Sequence, residues 1–195
     1  MDGIGVSEGR TRRGALLAVF LLALGLGVGV ESAPSPASAY TLTGCKFSSS
    51  TIPYLVSGLP TGYDLTSARG DWTVNTDVAG WTTSTIAARA DFRFAYYGNV
   101  GWTGATSAGT CPGRTNHSLT VSIRTNRTYT DSYSVNKRIS VMSHEIGHAL
   151  GLNHNNTSSP CTSVVLMNGY DDQRFDSCGV YRTKSDDRAG ANSLY

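Results

Sequence analysis

The residues with the most chemistry in this chain lie together in His144-Glu145-Ile146-Gly147-His148-Ala149-Leu150-Gly151-Leu152-Asn153-His154. Two histidines four apart sit one turn apart on the same face of a helix, close enough for both imidazoles to reach one Zn²⁺. Glu145 projects about 100° around that helix from His144. From there it could take a proton from a water on the ion without being a ligand. Gly151 can adopt positive φ at little cost and end the helix in a sharp turn. That turn would return His154 as a third ligand and leave a fourth position for water. A lone pair of helix histidines is more often a surface or satisfied core pair. Five constrained positions arise by chance in so short a chain at a frequency below roughly one in ten thousand.

The helix that must carry these groups is predicted to start at Ser134 or Asn136 and run to about Leu150, with Ile139, Met142, Ile146 and Ala149 on its apolar side. Ser50–Ser57 reads as a first strand. The recurrence of Trp72, Val74, Val78 and Trp81 predicts a helix within Ala68–Thr83, although Gly80 and the threonines weaken it. In Ala90–Tyr97, Phe92, Phe94 and Tyr96 alternate with Asp91, Arg93 and Ala95, as in a half-buried strand. Gly104–Cys111 is small and polar and reads as an irregular edge strand or a loop. Ser118–Arg124 alternates Leu119, Val121 and Ile123 and is the clearest strand. Ser185, Asp186 and Asp187 open a last helix, acids at its positive end, that would pack Leu194 and Tyr195. These elements predict an α+β fold.

Arg10, Arg12 and Arg13 precede an apolar run from Gly14 to Val30, and Ala37-Ser38-Ala39 is a small-residue cleavage site. Residues 1–39 are therefore expected to be a signal peptide, and residues 40–195 a single secreted domain. A retained anchor is the competing reading, but the run is short for a span and rich in glycine. The net charge is +2, and the leader carries three charges of each sign, so the balance survives its removal. The few basic residues are scattered, so neither nucleic acid nor an acidic membrane surface is an expected partner. Cys45, Cys111, Cys161 and Cys178 all follow the leader. An even count in an exported chain reads as two disulfides, with three connectivities open. The pairing expected is Cys45–Cys111 and Cys161–Cys178, the second enclosing Met167.

The histidine pattern, with a methionine downstream at Met167 in Val164-Val165-Leu166-Met167-Asn168-Gly169-Tyr170, resembles that of the metzincin zinc metalloproteases. The element order and the ending Asp186–Tyr195 look most like the matrixin group. The resemblance implies a mixed, mostly parallel twisted sheet with about three helices and an active-site cleft along the sheet edge. It implies one catalytic Zn²⁺ on His144, His148 and His154, with Glu145 as general base and Met167 as an apolar floor. Gly104–Cys111 would be the edge that pairs with an extended peptide, and Tyr170 a wall of the pocket after the cleaved bond or a group turned to the zinc. The protein would be a monomeric secreted endopeptidase acting on protein or peptide, with no stable membrane association after leader cleavage. Whether Ca²⁺ is also held stays open. Asn155 stands where matrixins usually carry serine, and only His117 is spare for a second zinc, so that site is expected to be absent and His117 an ordinary loop histidine. Two other readings remain: a non-catalytic zinc-containing peptide-binding module, and a zinc hydrolase of a non-peptide amide. Glu145 argues against the first, because a structural site has no use for a carboxylate beside an open position.

Overall fold

The computed structural model describes residues 40–107 and 115–195. The expected signal peptide, and Cys111 of the expected Cys45–Cys111 pair, lie outside the described residues. The elements are β1 (Cys45–Lys46), β2 (Thr51–Ser57), α1 (Leu65–Gly70), β3 (Gly80–Thr83), β4 (Ala90–Ala95) and β5 (Gly104–Ser107). They continue with β6 (Thr115–Asn116), β7 (Val121–Asn126), α2 (Arg127–Thr130), α3 (Val135–Leu150) and α4 (Ser185–Asn192). A 3₁₀ turn at Cys161–Ser163 and a π-helical segment at Asp172–Ser177 lie between the last two helices. Among the described residues no helix is long and apolar enough to cross a membrane.

Five strands form one sheet in the order β3-β2-β4-β7-β5. The first four run parallel, and β5 joins β7 antiparallel at the edge. The expected α+β fold with a mostly parallel sheet is the observed one. β1 and β6 make a separate parallel pair. Burial explains the central strands: Val121 and Ile123 of β7, and Ala90, Phe92 and Phe94 of β4, all enter the core. There they meet Ile139, Met142, Ile146 and Ala149, the apolar side of α3.

Three sequence expectations need correction. The helix expected within Ala68–Thr83 ends at Gly70, and Gly80–Thr83 is strand β3. The chain between them turns through Asn75 at φ 61°. Trp81 keeps its place by donating from Nε1 to the Arg69 carbonyl across 3.1 Å, while Val74 is 58% exposed. The near-helical spacing there belonged to a turn after α1, which holds the buried Trp72, and to strand β3, which holds the half-buried Trp81. β4 stops at Ala95, so Tyr96 lies in solvent, and Asp91 on the opposite face is buried. β7 begins at Val121, which leaves Leu119 exposed.

Candidate active site

Helix α3 builds the site. The Ser134 side chain caps it by accepting from Lys137 N, and Gly151 closes it in the left-handed region at φ 114°. His144 and His148 share one face, and the turn at Gly151 brings His154 back to them. The three Nε2 atoms lie 3.1 Å (His144–His148), 3.0 Å (His148–His154) and 3.2 Å (His144–His154) apart. Tetrahedral ligands at 2.0–2.1 Å from a zinc would be about 3.3 Å from one another, so the donor set fits that ion. The tautomers fit too. His144 Nδ1 donates to the Leu166 carbonyl across 2.8 Å and His148 Nδ1 to that of Leu152 across 2.9 Å, turning each Nε2 lone pair inward. Burial pushes all three imidazoles below their ordinary pKa, His144 furthest. Neutral rings are the form that binds a metal.

Glu145 meets the edge strand β5 through Thr106. Burial raises its pKa to about 7, against the hydroxyl of Thr106, which pulls it down. Thr106 Oγ1 is 2.7 Å from Oε2 of that carboxylate.

Met167 is buried beneath α3, where its sulfur fills the space that a Cβ on Gly147 would need. The closing helix holds this turn. Asp187 accepts from Leu166 N and Met167 N, both at 3.0 Å, and from Lys184 N at 2.7 Å. Burial lifts the Asp187 carboxyl to about 6 even against these donors. Asn155 donates to Asp186 across 3.1 Å and its N–H to the Met167 carbonyl across 2.9 Å, tying the third histidine to the same helix. Cys161 and Cys178 form a disulfide around the turn.

A cleft of ≈ 450 Å³ opens over His144, Glu145 and His154 and is walled by Trp102, Gly104, Tyr129 and Tyr133. Tyr170 takes no part in it. Its N–H is held by Asn168 Oδ1 at 2.8 Å and it is 63% exposed, whereas Asp171 and Asp172, which follow it, line the cleft. His117 is not an ordinary loop residue either: it is buried against Phe47, with Nε2 3.0 Å from the Ala149 carbonyl at the back of α3.

Sequence reasoning missed Thr106, Asp187 as an anchor, and Arg174. Arg174 is 2% exposed. It donates to Ser140 Oγ across 3.0 Å and to the Asn168 carbonyl, and lies 3.2 Å from His144 Nδ1. Within Asp171-Asp172-Gln173-Arg174 it reads as one more charge of a solvated run, and nothing local marks it as buried.

Two histidines on a helix and a third returned by the turn after it, floored by Met167 and set beside a mixed sheet, define a metzincin type of zinc peptidase. The family model for the reprolysin-like metallopeptidases of family M12B matches residues 50–190, well over half of the chain, and the protein belongs to that family. Its membership implies a zinc-dependent peptidase acting on protein or peptide. No curated protein matches the chain. A solved structure described as "GM1 bound form of the ECX AB5 holotoxin" aligns with a TM-score of 0.51 at 14% identity, covering 80% of this chain and 88% of that one. At that identity the likeness is one of fold.

Proposed function

We propose that this protein is a secreted, monomeric zinc endopeptidase of matrixin-like organisation, with Glu145 as its general base. The observation that carries the reading is the clustering of three Nε2 atoms under an open cleft that His144, His154 and the buried carboxylate of Glu145 line. His144, His148 and His154 would hold the Zn²⁺, which supplies Lewis-acid chemistry, polarising a carbonyl and making a water more acidic. Glu145 takes the proton of the attacking water and passes it to the leaving amine. Among the described residues β5 is an edge strand of the sheet, and its outer side would offer backbone groups to an extended peptide, which would add as a further strand. Trp102, Tyr129 and Tyr133 wall the space for its side chains. The matrixin-like assignment is supported by the closing helix, whose Asp186 and Asp187 tie down Asn155 and the methionine turn. Export is supported by the Arg10–Ala39 leader pattern and by the Cys161–Cys178 disulfide, a bond that persists in oxidising compartments.

The test compares wild type with Glu145→Ala and His148→Ala by metal analysis and by cleavage of an unfolded protein such as casein. Glu145→Ala keeps all three imidazoles and is expected to bind about one zinc per chain, with activity lower by roughly 10²–10⁴-fold. His148→Ala is expected to lose both. A Glu145→Ala protein as fast as wild type defeats the mechanism. A zinc-loaded wild type that cleaves no peptide favours the binding-module reading.

A further inference from the structure

Strand β5 passes Glu145 more closely than any ordinary residue would allow. A Cβ on Gly104 would lie 2.6 Å from Glu145 Cγ and 2.7 Å from Oε1, so only glycine leaves the carboxylate its place. Two residues on, and therefore on the same face of the strand, Thr106 presents its hydroxyl to the same group. Thr106 Oγ1 stands 2.7 Å from Glu145 Oε2 and 2.9 Å from the Glu145 carbonyl oxygen. The hydroxyl has one hydrogen for these two acceptors. The carbonyl already has its helical partner one turn on, whereas Oε2 is a buried carboxylate oxygen, and a bond to a charged acceptor is the stronger one. The hydrogen therefore belongs on Oε2. Oε1 accepts from no described residue, yet Glu145 lines the cleft. The two oxygens of one carboxylate are thus made different: one anchored to the sheet, one left for the reaction.

We propose that Thr106 is a positioning residue for peptide hydrolysis, its hydroxyl anchoring Glu145 Oε2 so that Oε1 alone exchanges the proton. The inference rests on the peptidase reading given above. In that cycle the water oxygen bonds to the scissile carbon while its proton goes to Oε1. The carbon–nitrogen bond then breaks as Oε1 returns the proton to the amine nitrogen. Oε2 stays an acceptor of the Thr106 hydroxyl in both states, so the carboxyl does not swing between them. Gly104 keeps the opposite side of the group clear, and together the two strand residues form a slot for it.

Thr106→Val removes the hydroxyl at nearly constant shape, and Thr106→Ser keeps it while losing a methyl. Steady-state kinetics on a peptide should show kcat for Thr106→Val lower by about ten- to a hundredfold, the scale of one bond to a charged group. KM should be little changed and zinc should stay near one per chain. Thr106→Ser should recover most of the rate. A readout independent of turnover is the ¹³C carboxyl resonance of Glu145 in zinc-free protein, assigned by its loss in Glu145→Ala. It should move in Thr106→Val and return in Thr106→Ser. Wild-type kcat in Thr106→Val overturns the inference, as does a Thr106→Ser variant equally impaired, which would make the methyl group the cause. If wild type cleaves no peptide, the peptidase reading fails and the inference falls with it, whereas an active wild type with an unchanged Thr106→Val overturns the inference alone.

Discussion

Gly147 sits between His144 and His148, inside a helix, where glycine costs about 1 kcal/mol relative to alanine. The packing around it accounts for that loss. A Cβ there would overlap the sulfur of Met167 and come within 2.9 Å of Trp72 Cζ2. Trp72 is itself fixed, donating from Nε1 to the Ser143 carbonyl across 2.8 Å. With Trp72 held, the strain must be taken up by Met167, so Gly147→Ala should destabilise the fold by about 1–3 kcal/mol, the usual range for overpacking, and weaken zinc retention by displacing the methionine turn. Urea unfolding and metal analysis check this. Gly70, at the end of α1 with open space around it, is the control whose alanine variant should not destabilise. At this scale the histidine cluster was legible because all three residues lie within one short stretch and their spacing alone brings them together. Thr106 and Arg174 were not, because their contacts with Glu145 and His144 span 39 and 30 positions. Only the fold supplies them.

Among the elements, α3 was readable from its Ser134 cap and its stop at Gly151, although it is buried on every side from Ile139 to Gly147, and β7 from the period-two alternation of Val121 and Ile123. Residues 68–83 were not, since the buried Trp72 and Val78 and the half-buried Trp81 come from three different local conformations that happen to share a helical spacing. The segment between His154 and α4 has no strand or α-helix, only the 3₁₀ turn and the π-helical segment, and depends on side-chain ties. Asn168 Nδ2 donates to the Thr157 carbonyl across 3.0 Å, and Gly169 N to Asn156 Oδ1 across 2.9 Å. The Cys161–Cys178 bond closes this segment over a sequence separation of 17, a loop whose closure is worth about 3 kcal/mol in the chain-entropy model. Selective reduction is therefore expected to lower stability by about 2–4 kcal/mol and to raise KM, because Asp171 and Asp172 of the cleft wall lie inside the loop. Denaturation curves and steady-state kinetics with and without reductant measure both. An unchanged KM would mean that the hydrogen bonds alone hold the wall.

Over the whole described molecule, the first and last residues meet behind the zinc helix. Thr43 N donates to the Gly151 carbonyl across 2.8 Å and Asn153 N to that of Thr41 across 2.8 Å, so the Tyr40–Cys45 segment laces the turn that returns His154. Phe47 N donates to Tyr195 Oη across 3.0 Å, and that hydroxyl donates to the Leu150 carbonyl across 3.1 Å. Lys46 reaches the Leu194 carbonyl, and the Tyr40 ring lies against Gly190 of α4. The order in which the chain is written is consequently not what holds the site together. A circular permutant that joins Tyr195 to Tyr40 through a short flexible linker, and opens the chain in the exposed turn between Thr85 and Ile86, keeps every strand and helix whole. It should fold and bind zinc as the parent does, as metal titration and circular dichroism would show. A permutant that folds but loses zinc would mean that Tyr40–Cys45 must be pulled taut from its own end to hold His154 in place.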